Sequence, residues 1–183
     1  MKGIIFTVFS DFVETNYGVD QLDDILDSCD LASGGAYTAV GTYDFSELQA
    51  LFGALCKAQN MELSEALRLY GHHLAAAFVT QYPDFFQEVD DTFSLLKNIE
   101  NHIHVEVRKL YPNAELPSFS HKHDESDRLT LIYSSPRKLG DLVVGLIEAA
   151  SGYYKETIRI ERKSPIDAPA ESEHFYLTRL SNG

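Results

Sequence analysis

Ile103-His104-Val105-Glu106-Val107-Arg108-Lys109-Leu110, then Leu116-Pro117, then Tyr133-Ser134-Ser135-Pro136-Arg137 are the segments on which the reading of this chain turns. Phe93, Leu96, Ile99, Ile103, Val107 and Leu110 share one face when residues advance about 100° each, so this region is predicted to be one amphipathic helix. His104 lies at the flank of that face, one turn beyond Glu100, while His102 lies further round toward the polar side. His104 is therefore the better placed to point between layers. Pro112 closes the helix. Leu129 to Tyr133 is rich in apolar, β-favouring residues and reads as a strand, and Pro136 pushes Ser135 toward an extended conformation.

Upstream, the pattern is helical. Ile5, Val8, Phe9 and Phe12 recur at helical spacing up to Tyr17-Gly18, and Asp20 is placed to cap a second helix. Ser33-Gly34-Gly35 marks a loop, Ser46 and Gln49 have capping-box spacing, and a longer helix runs from Ser64 to a stop before Pro83. Downstream, Leu139, Val143, Leu146 and Ala150 give a helix, while Thr157–Arg162 and His174–Leu180 give strands. Lys163 to Glu173, with Pro165 and Pro169, reads as a connecting loop, and His121 to Asp124 as a polar loop. Helices first, then strands around one further helix, predict an α+β fold.

The 183 residues suit one domain with a real core. A formal net charge of −13 argues against nucleic acid or an anionic membrane as partner, because phosphate binding is driven by clustered Lys and Arg. Cys29 and Cys56 are the only cysteines and form no CxxC, so no disulfide framework is expected. No signal peptide or membrane-length apolar run is present, and a cytoplasmic location is expected. HExxH, Cys/His zinc spacing, GxGxxG, Walker and Gly-x-Ser-x-Gly motifs are all absent. His72 and His73 are adjacent on a helix and cannot both face one site.

What remains is one constellation. A histidine offers a nitrogen lone pair to a metal. Tyr133, Ser135 and Arg137 alternate in an extended segment and would share a face, where a guanidinium fork and two hydroxyls suit carboxylates. Haem b needs both, an axial ligand and a cradle for its propionates. By spacing alone the alternation reads first as an ordinary surface strand, and a histidine placed like His104 is more often packed or hydrogen-bonded than metal-bound.

Along nearly its full length the chain resembles the haem-nitric oxide/oxygen binding (H-NOX) family. The matching residues are Met1-Lys2-Gly3-Ile4-Ile5, Tyr17-Gly18, Tyr82-Pro83-x-Phe85-Phe86, Ile103 to Leu110, Leu116-Pro117, the Tyr133-x-Ser135-x-Arg137 signature and Gly145-Leu146-Ile147-Glu148. The resemblance implies that His104 is the proximal iron ligand and that Tyr133, Ser135 and Arg137 cradle the propionates. It implies that Pro117 presses on the haem and that Ile5 and Phe78 contact it. It also implies a helical distal lobe (about residues 1–85) and a proximal lobe of helices and antiparallel sheet (about residues 86–183), with haem between them. Where oxygen-binding members carry a tyrosine, this chain has Leu142, so NO and CO are the expected gas ligands and a lasting oxygen complex is not. Some bacterial relatives carry a Cys/His zinc cluster near the C-terminal sheet; here the region has Gly140 and His174, and no zinc is expected. The resemblance further implies a nitric oxide sensor, not an enzyme. Its separate signalling partner would be a sensor histidine kinase of a two-component system or a cyclic-di-GMP cyclase or phosphodiesterase. A haem enzyme consuming NO or peroxide, and a haem-free interaction module, are the competing readings.

Overall fold

The computed structural model describes residues 1–164 and 169–180, and for residues 123–125 the backbone alone. The fold is α+β. Helix α1 (Ile4–Tyr17) ends at Gly18, whose φ of 90° is a conformation that side chains rarely adopt. Gly18 then serves as the N-cap of α2 (Val19–Asp27), so Asp20 falls inside the first turn and does not cap it. Helix α3 (Phe45–Gln59) is capped by Asp44, whose carboxylate accepts from the Ser46 N–H at 2.8 Å. The cap expected from Ser46 and Gln49 is displaced because the extended Asp44 precedes them. Helix α4 (Leu63–Gln81) runs up to Tyr82, and Pro83 opens the short α5 (Pro83–Gln87). Phe6, Phe9, Phe12, Leu51, Leu55, Tyr70 and Leu74 form the core of these helices, with rings in edge contact such as Phe9 on Phe52 at 4.9 Å.

The segment predicted as one regular helix is three pieces. Helix α6 (Thr92–Asn98), capped by Asp91, gives way to a π-helical turn (Ile99–Ile103) and then to α7 (His104–Leu110). A wider turn moves every later residue round the axis, so the extrapolated apolar face fails. Leu110 is 67 % exposed and His104 is the residue of α7 that is buried.

Strands β1 (Ser118–Glu125), β2 (Arg128–Ser134), β3 (Thr157–Lys163) and β4 (Ser172–Leu180) form one antiparallel sheet in the order β1-β2-β4-β3. The residues expected to form a polar loop, 121–124, lie in β1, an edge strand paired with β2. Residues 165–168 of the expected Lys163–Glu173 connection lie outside the described residues. Helix α8 (Gly140–Tyr153) covers the sheet: Val143 and Ile147 pack with Leu129, Leu131, Phe175 and Leu177, and Phe93 and Leu96 close the same cluster.

Helix α8 also meets α4, and glycines permit the approach. A Cβ on Gly145 would stand 2.1 Å from the Arg68 carbonyl oxygen, and one on Gly71 would stand 2.6 Å from that of Leu142. Arg68 grips Glu148 alongside with two bonds of 2.7 and 2.6 Å. Among the described residues no helix is long and apolar enough to cross a membrane. Gly145→Ala drives a methyl group into the Arg68 carbonyl and is expected to lower stability by about 1–3 kcal/mol, measured as a lower denaturant midpoint with an unchanged slope.

Candidate haem site

His104 is the first residue of α7, set by the π turn, and only 8 % exposed. Its Nδ1 lies 3.1 Å from Glu100 Oε2. The same carboxylate accepts from the Phe119 backbone N–H at 3.0 Å and from Arg108 Nη2 at 2.9 Å. Burial pushes the Glu100 carboxyl up, but the bonds from Arg108, the Phe119 N–H and His104 outweigh it and hold it below its ordinary range. Burial holds the His104 imidazole below its ordinary range, with Glu100 opposing, which favours the neutral form that ligates a metal.

Phe119 links the histidine to the sheet. Its ring centroid is 5.8 Å from His104 and 5.4 Å from Tyr133. Tyr133 and Ser135 are nearly fully buried at the end of β2. The Tyr133 hydroxyl accepts from the Leu139 N–H and the Ser135 hydroxyl from the Arg137 N–H, each at 3.2 Å. Each oxygen uses a lone pair there and keeps its proton to donate. The alternation expected of an extended segment holds only in part. β2 ends at Ser134, and Arg137 lies in the turn that Lys138, at φ 50°, carries into α8.

The Arg137 guanidinium is largely buried. It donates to the Glu115 carboxylate at 2.6 Å and to the Glu115 carbonyl at 3.2 Å. Glu115 itself is 77 % exposed in its side chain, so the fork takes a carboxylate that is free to yield to another. The donor set of two hydroxyls and one fork, beside a buried neutral imidazole, fits a group with acidic arms and a metal. Pro117 is half-buried immediately before β1.

Ile5 and Phe78 are half-buried at the edge of the helical core, and Phe78 also touches the cluster of Phe86, Leu95 and Ala150. Leu142 reaches from α8 into that helical core at 8 % exposure. The wholly buried Tyr70 donates its hydroxyl to the Ile5 carbonyl at 2.6 Å and is committed there. A cavity of about 250 Å³ lies between the π turn and β1, lined by Leu96, Lys97, Glu100, Asn101, Phe119, Ser120 and His121. Beside Gly140, Arg162 pairs with Asp141 at 2.6 Å and with Glu173. Sequence reasoning missed Glu100 as a partner, although its four-residue spacing from His104 was visible, and it missed Phe119 because β1 was missed.

A family model described as haem-NO-binding matches residues 2–162. The chain belongs to the haem-NO-binding (H-NOX) family. Among solved members, the unliganded Fe(II) H-NOX protein of K. algicida is 35 % identical with a TM-score of 0.91, over 100 % of this chain and 98 % of that one. The H-NOX of S. oneidensis in the Fe(II)NO state is 27 % identical with a TM-score of 0.88, over 99 % and 100 %. The IWP-051-bound H-NOX of Shewanella woodyi in the Fe(II)CO state is 36 % identical with a TM-score of 0.86, over 100 % and 96 %. H-NOX proteins bind haem. Within this member, Tyr133→Phe removes the acceptor of the Leu139 N–H and is expected to cost about 1 kcal/mol, read as a lower midpoint in chemical unfolding.

Proposed function

We propose that this chain is a haem-based nitric oxide sensor domain that binds haem b, takes NO or CO and signals to a separate protein. The observation that carries the reading is the buried His104 near a donor set suited to carboxylates, in a fold shared with H-NOX proteins solved in Fe(II)NO and Fe(II)CO states. When bound, a haem would supply a ferrous iron with high affinity for NO. The chain does the rest. His104 would hold the iron through Nε2, and its release on NO binding would be the signal. Tyr133, Ser135 and Arg137 hold the propionates. Pro117 would press on the haem, and Ile5, Phe78 and Leu142 would line its pocket. Release of His104 would free α7 and the segment through Pro117 and let the distal lobe (about 1–85) shift against the proximal lobe (about 86–183). The partner is a sensor histidine kinase or a cyclic-di-GMP enzyme, and the domain itself is not catalytic.

Protein purified from cells supplied with haem is expected to show a Soret band that changes on adding NO to the ferrous form. His104→Gly is expected to abolish the NO-dependent change in partner activity; unchanged signalling would defeat the reading. Leu142 offers no donor, which disfavours the more polar oxygen complex. Leu142→Tyr is expected to raise oxygen affinity by about 10-fold, the worth of one net hydrogen bond of about 1.4 kcal/mol, read by gas titration.

A further inference from the structure

We propose that Glu100 is a positioning residue for this site: its carboxylate, reaching across the π turn, holds His104 in the Nδ1-protonated tautomer and ties that imidazole to β1. The inference rests on His104 being the haem ligand. It begins with which atom carries the proton. Glu100 Oε2 already accepts the Phe119 N–H at 3.0 Å, and Oε1 accepts from Arg108 at 2.9 Å. An oxygen serving as acceptor on every other side is an acceptor toward His104 as well, so the proton between them belongs to Nδ1. The lone pair is then on Nε2. Among the described residues no hydrogen bond to that nitrogen is recorded.

A carboxylate behind a ligating histidine does two things. It fixes the ring's tautomer and orientation, and it makes the distal nitrogen a stronger donor to the metal. Here it does a third, because the same carboxylate is bonded to a backbone N–H of β1 two residues beyond Pro117. The imidazole, the second turn of α7 through Arg108 and the start of β1 therefore share one anchor. The π turn is what carries that anchor: Ile99–Ile103 encloses Glu100 and ends where His104 begins. Glu100 thus sets how firmly the iron is held and hence how readily the histidine is released, and it keeps the freed imidazole tied to the strand.

The test uses the haem-loaded ferrous protein with Glu100→Gln, Glu100→Ala and His104→Gly. Resonance Raman reads the iron–histidine stretching band, and NMR of the CO-saturated form reads solvent exchange of the Nδ1 proton. Glu100→Ala is expected to shift the band to lower frequency and to speed proton exchange by about 10-fold or more, the loss of one net hydrogen bond. Glu100→Gln keeps an acceptor without the charge and is expected to fall between, with exchange still slow. A residue that merely stabilised the fold would lower the melting temperature and leave band and exchange alone. If Glu100→Ala does not fold, the band shift of the near-isosteric Gln variant decides. A band lost in His104→Gly but unchanged in both Glu100 variants overturns this inference alone. A band that survives in His104→Gly overturns the ligand assignment and this inference with it.

Discussion

Helix α8 is shared by two cores, and the contact of Gly71 with Gly145 is what allows it. Leu142 points into the helical core, while Val143 and Ile147, on a neighbouring face, pack onto the sheet. An amphipathic helix normally buries one stripe. A helix that buries two must be approached closely on both sides, and backbone-to-backbone contact at Gly145 gives α4 that closeness. The residues of the candidate site lie along the seam so created: Leu142 on one side, Tyr133 and its turn on the other. Beside that crossing Glu148 of α8 is held by both Arg68 and His72 of α4.

The second constraint is a polar group in a buried place. An imidazole at 8 % exposure with no partner would cost about 1–3 kcal/mol. Glu100 removes that cost for the histidine, but a carboxylate half-sunk between helix and sheet needs donors of its own. It finds them in Arg108 and the Phe119 N–H. The network is closed among the π turn, α7 and β1, and it anchors an edge strand made of Ser, His, Lys, Asp and Glu with a single phenylalanine. Its one large apolar residue, Phe119, lies between His104 and Tyr133 and completes the packing.

Much of this was legible in the chain, for physical reasons that also mark where legibility ended. Helices α1, α4 and α8 and strands β2, β3 and β4 carry clean periodicities, and the helix-then-strand order gave the α+β class. The family resemblance pointed to His104 and the Tyr133-Ser135-Arg137 signature. The π turn was not legible, because periodicity arguments assume a constant advance per residue, and one wide turn sent Leu110 outward. β1 was not legible because an edge strand paired on one side needs little hydrophobicity. The shared face expected of Tyr133, Ser135 and Arg137 needs an extended segment through Arg137, but β2 ends at Ser134; the turn, not the pleat, brings Arg137 beside Ser135. Asp44 displaced an expected cap because a capping pattern names residue types, while the chain's exit angle decides which of two neighbours takes the role.

The donors assigned to the propionates are also structural anchors, and this bears on how a signal could leave the site. The Tyr133 hydroxyl accepts from the Leu139 N–H, at the start of α8. The Ser135 hydroxyl accepts from the Arg137 N–H and shapes the turn between β2 and α8. Arg137 reaches back to Glu115, two residues before Pro117. On the proposed reading, one end of this arrangement holds the cofactor's acidic arms. The other end is bonded to the helix shared by both cores and to the segment that leads from α7 to β1. A shift in the cofactor is then felt at α8 through Tyr133 and at Pro117 through Arg137 and Glu115, while Glu100 carries the same displacement from His104 into β1. On that reading three short hydrogen-bonded paths leave the haem site, and each ends on backbone, at the Leu139 N–H, the Glu115 carbonyl and the Phe119 N–H, so movement there would displace whole elements and not side chains alone.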